Sequence, residues 1–181
     1  MDVVFAAIMA ASSDFPLLDS APPPELRAGE TDEWGWTKWS PVRQSTAPTA
    51  LDTLYATIPG RLPALFEELL TSCRWLRVEI SEIDFFANPP GPDFRGLHDE
   101  ITRDPHLFPS LFSERFVEFG KAAGGSYDPV CFDLKRSRKR DCPLVRIDHE
   151  SVLILRRPKV IAEVAPSFRS FVERLDQTSK G

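Results

Sequence analysis

Apolar residues along the chain follow two periods, separated by proline-rich breaks. In "IPGRLPALFEELLTSC", Leu62, Leu65, Phe66, Leu69, Leu70 and Cys73 form one stripe at helical spacing, with Pro63 in the first turn, where a helix accepts it. "WLRVEI" then alternates Leu76, Val78 and Ile80 with Arg77, Glu79 and Ser81, the period of a half-solvated strand. Regular structure stops at "ANPPGPD". Two short helices are predicted next. "DFRGLHDEIT" carries Phe94, Leu97 and Ile101, and "RDPHLFPSLF" offers Asp104 as N-cap and Pro105 as the first helical residue. "ERFVEFG" predicts a strand ending at Gly120, "AAGGS" a turn, and "PVCFDL", "PLVRID" and "SVLIL" three more strands. "PSFRSFVERL" opens on Pro166 and spaces Phe168, Phe171, Val172 and Leu175 as a closing amphipathic helix. Helices first, strands grouped in the middle and a helix at the end predict an α+β fold with a largely antiparallel sheet backed by helices.

That domain is expected over residues 51–181, and residues 1–50 read as a Pro/Trp-rich N-terminal arm. "APPPELRAGE" and "SPVRQSTAPTA" lack a sustained period. "MDVVFAAIMAA" begins with an acid and has no positive n-region, so it reads as a short amphipathic arm rather than a secretory signal. Between them "DEWGWTKWS" holds Trp34, Trp36 and Trp39. On an extended chain Trp34 and Trp36 share a face and form a stacking platform; the simpler reading is that the indoles pin the arm to the domain.

Composition narrows the function classes. At 181 residues and 42% hydrophobic the chain has material for one good core. Net charge −5 argues against a duplex nucleic-acid binder held by phosphate contacts. Cys73, Cys131 and Cys142 form no CxxC pair and read as reduced thiols, which points to a cytoplasmic protein. No apolar run reaches the ~18 residues of a membrane span, so no membrane partner is expected.

The stretch "GGSYDPVCFDLKRSRKRDCPLVRIDHESVLIL" concentrates the candidate chemistry. On a strand His149 turns away from Asp148 and Glu150, and His98 and His106 share no ligand spacing with it, so neither a metal nor a cofactor is expected. Cys131 groups with Asp133, and a thiol beside a carboxylate ionises less readily. Ser126 lacks the G-x-S-x-G elbow. Asp128 and Asp133 fit turn and strand-end roles, and no catalytic residue is expected. A hydrolase built on Asp133 and His149 is the remaining enzymatic alternative. Lys135, Arg136, Arg138, Lys139 and Arg140 crowd one strand connection. They read as a solvated hairpin tip that resists edge pairing, or as a contact for an acidic or phosphate-bearing partner. Together with Trp34 and Trp36 they are the candidate partner-binding residues.

"GGSYDPVCFDLKRSRKRDCPLVRIDHESVLI", then "EVAPSFRSFVERL", with "IPGRLPALFEELLTSCRW" upstream, resembles the SUKH superfamily of fungal cell-wall-synthesis regulators and bacterial immunity proteins, over residues 51–175. The resemblance implies a helix-backed sheet and a protein that works by binding other proteins. Bacterial relatives neutralise toxin domains by direct contact, and fungal relatives act as signalling scaffolds. It implies no catalytic residue set. Attraction to a basic toxin would then fall to acids such as Glu67, Glu68, Glu79, Glu82 and Asp84.

Overall fold

The computed structural model describes Phe5, Ala6, Met9 and residues 21–178; the predicted amphipathic arm lies largely outside the described residues. The grouped apolar runs of the second half build a six-stranded antiparallel sheet. Its strands are β5 (Val78–Ile80), β6 (Ile83–Phe85), β7 (Phe116–Ala122), β8 (Pro129–Asp133), β9 (Leu144–Ile147) and β10 (Val160–Ala165). They lie side by side in chain order, so each pairs with the next strand in sequence. β1 (Arg27–Thr31) and β2 (Thr37–Trp39) form a separate hairpin, and β3 (Val42–Arg43) pairs with β4 (Cys73–Arg74). The α-helices among residues 21–178 are α1 (Leu51–Tyr55), α2 (Ala64–Ser72), α3 (Arg95–Ile101), α4 (Phe108–Ser113), α5 (His149–Leu155) and α6 (Phe168–Thr178). The fold is α+β.

Strand alternation sends side chains to two different cores. Val117, Phe119, Val130, Phe132 and Leu144 face the larger one, which α2 fills with Phe66, Leu69 and Leu70 and α6 with Phe168, Phe171 and Val172. Phe66 is its centre: its ring contacts those of Phe119, Phe132 and Phe168 at 5.8, 4.9 and 5.2 Å. Phe116, Cys131, Val145 and Ile147 face the other side, where Leu107, Leu111 and Val152 cover them. Between Glu118 and Gly120 the β7–β8 register shifts, and Gly120 passes so close to β6 that a Cβ there would lie 2.6 Å from the Asp84 carbonyl oxygen. Only glycine fits this approach.

Residues 37–43 share this packing with residues 51 onward. Trp39 is 1% exposed within the main core. The Arg74 guanidinium is wholly buried where β4 leaves α2. It donates to Leu70 O (2.5 Å) and to the Thr46 hydroxyl, while Asn88 Nδ2 donates to Leu70 O and Cys73 O at 3.1 and 2.8 Å. The carbonyls that a helix C-terminus leaves without partners are satisfied this way.

Three local expectations are corrected. "SVLIL" is helix, not strand. Asp148 caps it by accepting from Glu150 N at 3.2 Å, Ser151 Oγ donates to Asp148 O at 2.7 Å, and this capping prevails over the strand preference of the apolar run. The strand expected there comes later, as β10. The helix expected at Pro105 starts at Phe108 instead. Pro109 has no N–H to continue a helix begun earlier and is accommodated only in a first turn, so Asp104 closes a turn by accepting from His106 N at 2.8 Å. β7 also runs on past Gly120 to Ala122.

Phe66→Ala is expected to cost about 3–5 kcal/mol of stability, measured by denaturant unfolding. A loss below ~1 kcal/mol would mean that the aromatic cluster does not hold α2 on the sheet.

Candidate functional site

The second face of the sheet is only partly covered. α4 and α5 lie over Cys131, Val145 and Ile147, and beside them the face opens into a cleft of about 320 Å³. Glu118 of β7 lines it, with Phe86, Leu107 and Leu153 as apolar walls and Tyr127 and His149 at one side.

Glu118 is 4% exposed, and its Oε1 has no hydrogen-bond partner among the described residues. Burial raises its pKa to about 8, more than the nearby Lys121 and Arg77 lower it, so the carboxyl is protonated at neutral pH. In "FVEF" the alternation sets Glu118 opposite Val117 and Phe119. That reads as a solvent position, because the sequence gives no sign that the second face is covered.

His149 is placed by Asp128, not Asp133. Asp128 Oδ1 accepts from His149 Nδ1 at 2.8 Å and from His149 N at 3.2 Å, and Oδ2 accepts from Arg146 Nε at 2.8 Å and Nη2 at 2.5 Å. Burial pushes the Asp128 pKa up, but the hydrogen bonds from His149 and Arg146 outweigh it and hold the carboxylate at about 2. The network ties the start of β8 to β9 and to the first residue of α5. The helix start at His149 had a local signal, since "DHES" has an N-cap aspartate, Asp148, and an acid in the first turn, but the pairing with Asp128 had none.

This arrangement bears on the catalytic and metal readings. Asp133 sits at the far end of β8, accepting from Lys135 N at 3.1 Å and Arg136 Nε at 2.7 Å, so Asp133 and His149 are not brought together. Ser126 Oγ accepts from Asp128 N at 3.2 Å and from Arg146 at 3.4 Å. No hydrogen bond joins it to the His149 imidazole among the described residues, so a nucleophile–base contact is missing. Asp128, Asp148 and His149 offer potential metal-ligand atoms within 4.8 Å of one another. All four acceptor positions of Asp128 are already filled by N–H groups, two of them from Arg146.

The basic run is largely matched by acids. Lys135 pairs with Glu114, Arg136 with Asp133 and Glu163, and Arg140 with Glu67. Arg138 and Lys139 are exposed, and Lys139 and Arg140 have left-handed backbone at φ 51 and 59°. The loop is docked as well: Arg140 O accepts from Ala64 N at 2.8 Å at the start of α2, and Asp141 accepts from Phe168 N at 3.0 Å at the start of α6. Among the acids expected to attract a basic partner, Glu67, Glu82 and Asp84 pair with Arg140, Arg174 and Arg77.

Trp34 and Trp36 sit at the tip of the β1–β2 hairpin, where Asp32 accepts from both of their amides at 2.9 and 2.8 Å; Trp34 is 77% exposed. Of the three indoles only Trp39 anchors in the core.

A surface that sequence reasoning missed lies on α5 and β10. Leu153, Ile154 and Leu155 are exposed, Ile154 at 74%, and so are Val160 and Ile161. β10 is an outer strand of the sheet and meets β9 through two register shifts. The same apolar letters suggested a strand in "SVLIL", although Leu153, Ile154 and Leu155 are exposed on a helix.

No family model matches the chain, and neither the curated proteins nor the solved structures compared with it give a match. No helix among the described residues is long and apolar enough to cross a membrane.

Because the folded-state pKa of Asp128 is depressed, its stabilising contribution is present above the ordinary carboxylate pKa of 3.8 and is lost as pH falls towards about 2. Asp128→Asn is expected to lower the unfolding midpoint at neutral pH and to flatten the acid limb of the stability profile. An unchanged acid limb in thermal melts across that range would remove the network from the stability account.

Proposed function

We propose that this chain is a protein-binding domain without catalysis of its own, which neutralises a toxin domain by direct contact. The observation that carries the binding reading is the exposed apolar surface of α5 and β10. An outer strand presents a row of unpaired backbone groups, and folds normally blunt it with charge, proline or a cover. In β10 residues 160–163 are all exposed, and the single charged side chain, Glu163, is paired with Arg136. Ile154 and Leu155 on the preceding helix are exposed as well. Strand addition at such an edge gives affinity through main-chain hydrogen bonds and specificity through flanking side chains. The proposed occupant is therefore an extended segment of the toxin domain, laid against β10 with apolar residues towards Ile154 and Ile161.

Support for the absence of catalysis is chemical. Asp128, His149 and Asp133 are engaged in fixing strand and helix ends. The narrower step from binding to toxin neutralisation rests on the resemblance of the "YDPVCFDL" and "RIDHE" blocks to the SUKH superfamily. A regulatory scaffold for an endogenous partner is the second reading, favoured by the exposed Trp34 and Trp36 tip as a contact on a different element.

Co-purification of the tagged chain at physiological salt, with mass spectrometry and light scattering, separates the two. Immunity predicts one stoichiometric toxin-like partner whose activity the chain suppresses, whereas a set of signalling proteins favours the scaffold. Ile161→Lys is expected to change stability by less than ~0.5 kcal/mol and to weaken the complex at least about tenfold. Undiminished binding by both Ile161→Lys and Ile154→Lys would remove the β10 edge as the contact.

A further inference from the structure

A bulge in β7 builds a second kind of site into the cleft, one that does not depend on the protein-binding reading. Glu118 and Lys121 are three residues apart, and on a regular strand an odd spacing sends side chains to opposite faces. Here the register shift between Glu118 and Gly120 changes the parity. Val117, Phe119 and Ala122 all lie in the main core, while Glu118 and Lys121 both line the cleft. Bulges beside functional sites re-aim side chains in this way.

The charges so assembled favour an anion. Lys121 is half-buried, its ammonium 5.5 Å from the centre of the Tyr127 ring, and no carboxylate pairs with it among the described residues. Asp84, opposite it in the β6–β7 ladder, pairs with Arg77 instead, and Glu100 pairs with Arg103. Arg77 engages Asp84 through Nε, which leaves both Nη groups as donors. Asp104 is the remaining acid of the lining, and its Oδ1 accepts from His106 N at 2.8 Å. At the Glu118 carboxyl the positive field of Lys121 and Arg77 is larger than the negative field of Asp104 and Glu100. Glu118 is itself protonated at neutral pH, so it adds no negative charge and has a proton to donate. Its Oε1 is sealed, so it meets the cleft through Oε2. Cys131, across the ladder, is kept neutral by burial, and His149 stands at one side with Nδ1 engaged by Asp128.

The walls decide what the anion is attached to. Phe86, Leu107 and Leu153 are apolar, and about 320 Å³ is the lower end of small-ligand sites. One unpaired ammonium matches a single negative charge, whereas a phosphate would bring nearly two. We propose that the cleft binds a small monocarboxylate, its apolar body against Phe86, Leu107 and Leu153 and its carboxylate between Lys121 and Glu118.

The test is a proton–nitrogen NMR titration of the full chain with sodium phenylacetate, followed at the Glu118, Lys121 and Leu153 amides. Phenylacetamide and phenethylammonium chloride are the uncharged and oppositely charged controls. Phenylacetate is expected to bind at least about tenfold tighter than either control, the worth of one charge-assisted hydrogen bond, and Lys121→Met to remove that advantage. An ionised Glu118 repels the ligand, so affinity is expected to stay level up to pH about 8 and to fall above it. Glu118→Gln, which keeps a donor and cannot ionise, is expected to bind as the wild type does at neutral pH and to lose the alkaline fall. Equal binding of either control overturns the proposal, as does undiminished phenylacetate binding by Lys121→Met. Should Glu118→Gln not fold, the charge preference of the wild type and its loss in Lys121→Met decide.

Discussion

A sheet with two apolar faces has to cover both, and this one covers them unequally. α2 and α6 seal one face of the six strands with interlocked phenylalanine rings. The other face has only the short helices α4 and α5, so it is closed over Cys131 and Val145 and open at Glu118. The candidate chemistry follows from that imbalance. The cleft is the uncovered part of the second face, Glu118 is buried because it sits at the margin of the cover, and the exposed end of α5 is the part of the covering helix with nothing to cover.

The polar networks make sense as devices that hold this partial cover in place. Asp128 joins the entrance of β8 to Arg146 of β9 and His149 of α5, fixing the helix at the cleft edge. Asp141 and the Arg140 carbonyl do the same for the well-covered face by capping α6 and α2. A run of five cations that looks like a free patch in the sequence is in fact a docked loop, with most of its charge balanced by acids from several elements. Asp128, Asp133 and His149 therefore fix strand and helix ends, and the surface left open is apolar on α5 and β10.

Much of the architecture was legible in the chain itself. The α2 stripe, the alternation in β7, β8 and β9 and the spacing of α6 are local periodicities, and a local period survives folding because the core selects it. The α+β class follows from their order. Two kinds of feature were not legible. At "SVLIL" capping by Asp148 and strand preference point in opposite directions; the capping prevails, and the burial of Val152 in the second core sides with it. At Glu118 the strand period sets a face, but whether that face meets water depends on the helices at residues 108–113 and 149–155. Likewise the pairing of His149 with Asp128 joins residues 21 apart, through a register that no spacing rule contains. The sequence by itself determined the elements with a clear local period, such as α2, β8 and α6, because a period depends on near neighbours. The tertiary structure alone decided which faces are dry, which charges are matched and which apolar residues are left outside, because those depend on what the rest of the chain brings to the same place.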